Sequence, residues 1–397
     1  MIKRQIYLQR LFAAKDKKLI KVISGVRRCG KSTLFEIFQG YLLKNNVLKK
    51  QIHSINFEEI ENENLLDYKQ LYAHIKKNLI SDKMNYIFLD EIQNVKDFQK
   101  AVDSLYVKKN IDLYITGSNS NLLSGELATL LSGRYIEIQM LPLSFKEYIS
   151  AFENTKELNE KWINYLTKSS FPYALEIDDK LVLKDYLNGI YNSIIVKDIA
   201  QREKISDFAM LTSITKFMLD NIGNLCSIKK ISDTMTSANR KISTHTVENY
   251  LTVLEKSFVL YKAKRFDIKG KEYLRTNDKY YCVDLGLRYA ILGKEKADIG
   301  KMLENVIYLE LLRRGYEIGI GKIGANEVDF VAHKNGDIEY YQVALTTRDD
   351  KTLQRELLSL NAISDNNPKN LLTLDEDPEI SYNGIKKINA LKWLLSD

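Results

Sequence analysis

The 397-residue sequence predicts an α/β protein with several domains, in which helices cover a parallel sheet and a smaller α/β unit follows later in the chain. Three observations support this expectation. From residue 18 to about residue 139, short apolar runs alternate with amphipathic helical stretches, which is the pattern of a parallel sheet with helical crossovers. From about residue 145 to residue 204, helical periodicity replaces the strand-like runs. The length also exceeds the roughly 250 to 300 residues at which a single core stops growing.

Composition restricts the class of protein before any motif is considered. Hydrophobic residues make up 45% and charged residues 28%, which is typical of a globular protein and not of a disordered or fibrous one. No apolar run approaches the roughly 20 residues needed to span a bilayer. The basic N-terminal segment is interrupted by charges, so it lacks the apolar stretch of a secretory signal. We therefore expect a cytoplasmic location and no membrane partner.

The cysteines, the histidines and the net charge each limit the chemistry. Cys29, Cys226 and Cys282 are far apart, and the four histidines are scattered, so neither a disulfide framework nor a transition-metal site is expected. The formal net charge of +7 is a mild bias toward polyanions such as nucleic acid or nucleotide. An ordinary solvated, lysine-rich surface explains the same charge equally well.

A glycine-containing loop follows the apolar segment LIKVIS and precedes a helical stretch. Residues 25–32, GVRRCGKS, fit the GxxxxGK[ST] pattern of a phosphate-binding loop. In such a loop, backbone N–H groups and the helix N-terminus bind phosphate oxygens, Lys31 reaches the β and γ phosphates, and Ser32 ligates Mg²⁺. A glycine-rich turn is the alternative. The residues expected to bind nucleotide are Gly25, Val26, Arg27, Arg28, Cys29, Gly30, Lys31, Ser32 and Thr33.

A second strand-like segment, YIFLDE at residues 86–91, ends in two acids as a Walker B segment does. Asp90 is expected to hold Mg²⁺ through water, and Glu91 to act as general base toward the attacking water. Taken alone, such an ending is more typical of a strand cap. Together with the phosphate-binding loop it predicts an ATP site that uses Mg²⁺.

Two further positions are candidates for contacts to the γ-phosphate. The run LYITG is followed by Ser118 and Asn119, either of which could sense the γ-phosphate, although such residues are also common in ordinary strand-to-helix turns. Arg134 precedes the run YIEIQM and is a candidate finger that acts in a neighbouring subunit; a solvent-facing arginine is the alternative. The predicted catalytic residues are Lys31, Asp90, Glu91, Asn119 and Arg134.

The segment from about residue 207 to residue 284 has the order of a winged helix-turn-helix. Residues 227–235 and 243–256 predict its two helices, and two later strand-like segments would form the wing. A structural lid or a protein-binding surface is the alternative to DNA binding. The candidate DNA contacts are Arg240, Lys241, Thr244, His245, Lys262, Lys264, Arg265, Lys269 and Lys271.

These motifs together resemble a known family. The phosphate-binding loop, LDEIQ at 89–93, TGSNS at 116–120 and LPLSFKEY at 141–148 are similar to the AAA-type ATPases of bacteria and archaea that carry a fused C-terminal domain of unknown function. Later segments continue the resemblance: IVKDIAQR at 195–202, YYCVDLGLR at 280–288, ENVIYLELLRRGY at 304–316 and EVDFVA at 327–332. The resemblance implies an AAA+ fold, a winged-helix segment and a restriction-endonuclease-like terminal domain.

An endonuclease-like domain of this class implies a helix acid, a strand aspartate and an acid-x-lysine pair on the next strand, which together hold Mg²⁺ and polarise water. The corresponding positions here are Glu304, Asp329, Gln342 and Ala344. An amide supplies no charge for the metal, and alanine cannot stabilise a hydroxide nucleophile. Glu327 is a substitute ligand in principle, but we expect that no residue supplies the missing cation. We therefore expect a structural or docking domain without nuclease activity.

The sequence thus predicts four parts, the first of which contains a P-loop NTPase sheet. These are an ATPase domain at 1–145, a helical connector at 146–206, a winged-helix-like domain at 207–290 and an inactive endonuclease-like domain at 291–397. We expect Mg²⁺-dependent ATP hydrolysis that drives a conformational switch on a DNA or protein client, with oligomerisation left open. The alternatives are an ATP-binding docking module with negligible turnover and, third, a DNA nuclease.

Overall fold

The computed structural model divides the chain into two compact units, Met1–Pro142 with Lys256–Phe258 and Leu143–Glu255 with Val259–Asp397. The residues that the structure describes are 2–118, 133–152, 157–200, 205, 207–238, 240–274, 277–293 and 298–396. Asn119, one of the two candidate sensors, lies outside them. Among the described residues, no helix is both long enough and apolar enough to cross a bilayer.

A parallel sheet lies at the centre of the first unit. Its strands are β1 (Ile20–Ser24), β2 (Ile52–Asn56), β3 (Asn85–Asp90), β4 (Ile111–Gly117) and β5 (Tyr135–Gln139). Its α-helices are α1 (Gln5–Ala14), α2 (Lys31–Lys44), α3 (Tyr68–Asn78) and α4 (Phe98–Tyr106). Within the described residues the sheet order is β2-β3-β4-β1-β5, and every neighbouring pair is parallel. The predicted P-loop NTPase type of sheet is therefore confirmed.

Helices pack on both faces of this sheet, which explains why its inner strands are continuous apolar runs. Every residue of β1, β3 and β4 is buried. On one face, the ring of Phe35 in α2 lies edge-on to Phe88 of β3, with ring centroids 5.0 Å apart. On the other face, Leu71 of α3 and Leu105 of α4 belong to a hydrophobic cluster with Leu89 of β3.

A buried ion pair joins the two central strands β1 and β4. Lys21 is fully buried and its ammonium donates a hydrogen bond to the carboxylate of Asp112, which is 2% exposed. The second carboxylate oxygen of Asp112 accepts from the hydroxyl of Tyr114 at 2.7 Å and from the backbone N–H of Asp16 at 2.9 Å. The carboxylate of Asp112 therefore accepts hydrogen bonds from three donors that have little access to water.

The second unit begins with helices. They are α5 (Phe145–Ile149), α6 (Leu158–Thr167) and α7 (Lys180–Ser193), which continues into a π-helical turn at Ile194–Ala200, and then α8 (Phe208–Asp220), α9 (Ile228–Ser237) and α10 (Thr244–Lys256). Helices α9 and α10 lie where the helix-turn-helix pattern predicts them. Later helices are α11 (Leu285–Leu292), α12 (Ile299–Arg313), α13 (Asp350–Asn361) and α14 (Ala390–Leu395).

A mixed sheet forms the rest of the second unit. Its strands are β6 (Leu225–Cys226), β7 (Leu260–Asp267), β8 (Glu272–Tyr273), β9 (Asp278–Cys282), β10 (Glu317–Ile323), β11 (Asn326–Lys334), β12 (Asp337–Val343), β13 (Lys369–Thr373), β14 (Ile380–Tyr382) and β15 (Ile385–Asn389). Among the described residues the order is β14-β15-β13-β12-β11-β10-β7-β9-β6, and β8 pairs with β7.

Strand β7 belongs both to the predicted wing and to the sheet that continues into the C-terminal part. It pairs antiparallel with β8 and β9, and parallel with β10. The sheet thus crosses the boundary predicted at residue 290, and all three predicted C-terminal parts lie in one compact unit. The winged-helix assignment and the boundaries at 206 and 290 stay predictions.

The buried pair in the first unit gives a stability prediction. Asp112→Ala should lower the free energy of unfolding by about 3–5 kcal/mol, because it leaves the buried ammonium of Lys21 uncompensated. Urea denaturation of the variant and the parent measures this loss. Replacing both partners with apolar residues, Lys21→Met with Asp112→Leu, should recover a large part of it.

Lys100→Ala is the matched control, since it removes an exposed lysine paired with Asp97 at 3.1 Å. It should change the urea midpoint little, because solvent screens exposed pairs. A midpoint for Asp112→Ala equal to that of Lys100→Ala would show that the buried pair is not a stabilising feature of the sheet.

Candidate nucleotide-binding site

The loop between β1 and α2 has the backbone shape that a phosphate cradle needs. Gly25 has φ +147°, and a Cβ at this position would lie 2.2 Å from the carbonyl oxygen of Met140. Gly30 has φ +101° and caps the N-terminus of α2. Arg28 also adopts a positive φ, of 67°. Glycine is therefore required at 25 by both conformation and space, and the loop turns directly into the first turn of the helix.

Lys31 and Ser32, the last two residues of the predicted motif, each reach the segment at the end of β3. The ammonium of Lys31 is 4% exposed, donates to the carbonyl oxygens of Gly25 and Val26 at 3.1 and 3.4 Å, and lies 3.5 Å from a carboxylate oxygen of Glu91. The hydroxyl of Ser32 is close enough to the carboxylate of Asp90 to lower its pKa. The structure thus brings the two predicted motifs together.

Thr116, at the end of β4, holds both acids in place. Its hydroxyl donates to a carboxylate oxygen of Asp90 and accepts from the backbone N–H of Glu91 at 2.9 Å. Glu91 has φ +54°, so the chain turns sharply after Asp90 and the two side chains leave the strand in different directions. Reading the sequence did not identify Thr116; its role depends on β4 lying next to β3, which the sequence does not specify.

The two acids differ in their electrostatics. Burial raises the pKa of Asp90, and the hydrogen bonds from Ser32 and Thr116 oppose this rise only in part. Burial would also raise the pKa of Glu91, but the ammonium of Lys31 and a hydrogen bond from Gln93 bring it below its ordinary value. Glu91 is therefore a carboxylate at neutral pH, which is the state a general base requires.

Ser118 is the candidate sensor that the structure describes, and it lies at this site. It is 1% exposed and its hydroxyl donates a hydrogen bond to Glu91. Of the remaining loop residues, Val26 and Cys29 are buried, whereas Arg28 and Thr33 are exposed. Arg27 is half-buried, and its guanidinium lies 2.7 Å from the carboxylate of Glu58.

Arg134 is not brought together with the other predicted catalytic residues. It precedes Tyr135, which pairs with Ile20 at the amino-terminal end of β1, whereas the phosphate-binding loop follows the carboxyl end of that strand. Its exposed guanidinium lies 5.5 Å from the ring centroid of Tyr106. A contribution to this site would have to come from another copy of the chain, and that role stays a prediction.

Arg4 is a further residue of this site that reading the sequence missed. It is 4% exposed and donates hydrogen bonds to the carbonyl oxygens of Cys29 at 3.0 Å and of Leu141 at 2.6 Å. The backbone N–H of Leu141 in turn donates to the hydroxyl of Tyr7 in α1 at 3.1 Å. The N-terminal segment thereby fixes the back of the phosphate-binding loop, which makes Arg4 a positioning residue.

The candidate DNA contacts differ in their availability. Lys241, Thr244, His245 and Lys264 are exposed. Arg240 is exposed but donates hydrogen bonds to Ser213 and to the carbonyl oxygen of Ala209 in α8. Lys262 lies 3.1 Å from the carboxylate of Asp278. The remaining candidates are Lys269 and Lys271, both exposed, and the half-buried Arg265.

The degenerate nuclease positions surround a lysine that the sequence motif does not contain. The ammonium of Lys279 in β9 lies 3.0 Å from Glu304 of α12, 2.9 Å from Glu327 and 3.7 Å from Asp329, both of β11. The expectation that no residue supplies the missing cation is therefore wrong. Ala344, at the motif's lysine position, is buried just after β12.

Two family models match segments of the chain. A family model described as an AAA domain matches residues 17–149, and one described as a domain of unknown function (DUF8612) matches residues 159–298. The second match runs across the predicted boundary between connector and winged-helix-like domain.

Two relatives and one solved structure complete the comparison. An uncharacterized protein of Haemophilus influenzae is 43% identical over 100% of this chain and 99% of its own length. One of Methanocaldococcus jannaschii is 33% identical over 81% of this chain and 71% of its own length. The Walker-type ATPase of Pyrococcus abyssi covers 73% of this chain and 96% of its own, with 15% identity and a TM-score of 0.47, a likeness too weak to carry an argument. With its P-loop and parallel sheet, the chain belongs to the family of AAA-type ATPases in which a domain of unknown function follows the AAA domain.

Proposed function

We propose that the chain is a Mg²⁺-dependent ATPase in which hydrolysis of the γ-phosphate drives a conformational switch on a DNA or protein client. The pairing of the phosphate-binding loop with the two acids supports the proposal most directly. The hydroxyl of Ser32 is close enough to Asp90 to lower its pKa, and Lys31 lies 3.5 Å from Glu91. A cation, a hydroxyl and two carboxylates thus meet at one edge of the sheet, and these are the groups that phosphoryl transfer uses.

The loop would bind the triphosphate through its backbone and Lys31. The first turn of α2 directs backbone N–H groups and the positive end of the helix dipole toward an anion. The ammonium of Lys31 is already buried, where it donates hydrogen bonds to the carbonyl oxygens of Gly25 and Val26. Phosphate oxygens would replace these partners, so little further loss of hydration would oppose binding.

Ser32 and Asp90 are the residues that would hold Mg²⁺. Hydroxyl and carboxylate oxygens are ligands that this hard cation prefers, and the hydroxyl of Ser32 is close enough to Asp90 to lower its pKa. Bound there, the ion would neutralise charge on the phosphate oxygens. Thr116 would keep the carboxylate of Asp90 oriented through its hydrogen bond.

Glu91 would take the proton from the attacking water. Its lowered pKa keeps it ionised, and the hydrogen bonds from Gln93 and Ser118 orient its carboxylate. Before nucleotide binds, this carboxylate faces the ammonium of Lys31 at 3.5 Å. When the ammonium of Lys31 moved to the phosphates, the carboxylate of Glu91 would become free to accept a proton from the attacking water. Nucleotide binding and activation of the base would therefore be linked.

Two variants distinguish the proposed role of Lys31 in ATP binding from the proposed role of Glu91 in hydrolysis. Lys31→Ala should abolish ATP binding, because it removes the cation that faces the phosphates. Glu91→Gln should bind ATP as the parent does but turn it over roughly 10²- to 10⁴-fold more slowly, the usual contribution of a general base. Steady-state phosphate release and equilibrium ATP binding measure the two effects.

Glu61→Gln is the matched control, since Glu61 is an exposed acid of the same unit. It should leave both binding and turnover at parental values. Hydrolysis by Glu91→Gln at the parental rate, together with ATP binding by Lys31→Ala, would sink the proposal. Parental ATP binding with phosphate release at background, with and without DNA, would favour the docking module.

Exposed basic and polar residues support DNA as a candidate client. Lys241 precedes α10, Thr244 and His245 form its first turn, and Lys264 lies on β7. Such residues at the start of a second helix and on an adjoining strand match the places from which helix-turn-helix proteins contact phosphates and bases.

If these residues contact phosphates, Lys241→Ala and Lys264→Ala should each weaken binding to duplex DNA of any sequence. Each should also lower the slope of log affinity against log salt by about 1, because one phosphate contact is lost. Fluorescence anisotropy over a salt series measures both quantities. Lys77→Ala removes an exposed lysine of α3 and should change neither. Identical salt slopes for all four proteins would exclude this surface as the DNA contact.

A further inference from the structure

Lys279 is a buried cation with acids on three sides. Its side chain is 6% exposed, and the carboxylates that face it belong to α12 and β11. Glu304 and Glu327 each lie within 3.0 Å of the ammonium, which is hydrogen-bond distance, and Asp329 lies at 3.7 Å. An ammonium has three N–H donors, so two of them are used by the two glutamates.

The remaining contacts of these acids also come from the protein. The carboxylate oxygen of Glu304 that faces Lys279 accepts the hydroxyl of Tyr281 at 2.6 Å. A Cβ on Gly223 would lie 3.3 Å from the other oxygen, so the backbone of Gly223 closely approaches that side. The second oxygen of Asp329 accepts from the backbone N–H of Val343 at 2.9 Å. Donors and backbone thus surround Glu304 and Asp329, whereas the side chain of Glu327 is 33% exposed.

The ammonium of Lys279 supplies a positive charge inside the acid cluster. Burial raises the pKa of Asp329, and the neighbouring carboxylate of Glu304 raises it further. The ammonium is in direct contact with the carboxylates of Glu304 and Glu327, so a divalent cation could bind these oxygens only by displacing it.

Gln342 shows why the motif's second acid is absent. Its side-chain oxygen accepts from the backbone N–H of Asp329 at 3.2 Å, and its amide nitrogen donates to Glu356 of α13 at 2.8 Å. A carboxylate at this position could not donate to Glu356 and would add a like charge beside it. The amide therefore suits a cluster whose cation comes from Lys279.

We infer that the ammonium of Lys279 occupies the position that a divalent cation takes in nuclease-like acid clusters, so that this part of the chain is held together by an internal cation and needs no metal. The donor set does not fit Mg²⁺ in the presence of this lysine. Removing the ammonium while keeping the acids should turn the cluster into a divalent-cation site, because three carboxylates then converge without a counter-ion.

The test counts Mn²⁺ bound by the nucleotide-free full-length chain, with free Mn²⁺ measured by electron paramagnetic resonance. Lys279→Met should bind one more equivalent of Mn²⁺ than the parent, and the melting temperature of this variant should rise when Mn²⁺ replaces EDTA. The double variant Lys279→Met with Glu304→Gln should lose the extra equivalent. Lys279→Arg keeps a cation and should gain none. Absence of the extra equivalent in a cooperatively folded Lys279→Met protein would overturn the inference.

A second comparison holds even if Lys279→Met does not fold. Glu304→Gln in the otherwise unchanged chain should bind as much Mn²⁺ as the parent, because the cluster holds no metal in either protein. Parental Mn²⁺ binding or Mn²⁺-dependent plasmid cleavage that disappears in Glu304→Gln would show that the cluster is a working metal site. Since no nucleotide is present, this result is independent of the proposed ATPase function.

Discussion

The phosphate-binding loop is fixed to the acid end of β3 through two adjacent side chains, and the arrangement of the first unit follows from this constraint. The ammonium of Lys31 lies 3.5 Å from Glu91, and the hydroxyl of Ser32 is close enough to Asp90 to lower its pKa. These contacts require β1 and β3 to end at the same edge with β4 between them, which is the order found. Thr116 at the end of β4 then reaches both acids. Buried inner strands, with helices on both faces, keep this edge rigid.

The motif residues that would contact the phosphates and Mg²⁺ could be predicted from local sequence patterns. The residues that hold them in position could not. The glycine-lysine-serine spacing and the two acids after an apolar strand each carry their own signal, and the structure brings them together. Arg4 and Thr116 carry no such signal, because a buried arginine resembles any other residue of a basic segment and a strand threonine is common. Their roles depend on strand order and on the return of the chain to Leu141.

In the second unit, the two helices of the helix-turn-helix pattern could be predicted, but the cation of the acid cluster could not. Lys279 precedes Glu304 by 25 positions and lies on β9, outside the local spacing that defines a nuclease-like motif. The acid-x-lysine pattern fails at Gln342 and Ala344 because charge compensation comes from another strand. Strand β7 likewise belongs to both the predicted wing and the larger sheet, since pairing partners are set by tertiary structure.

The most direct test of the central claim, that the loop and the acids act as one catalytic site, is a double-mutant cycle on kcat/KM for Mg·ATP. The cycle compares Ser32→Ala, Asp90→Asn and the double variant with the parent. Because both side chains would serve the same ion, the double variant should be no slower than the slower single variant. If the fold reductions in kcat/KM of the two single variants multiplied in the double variant, the account would be contradicted.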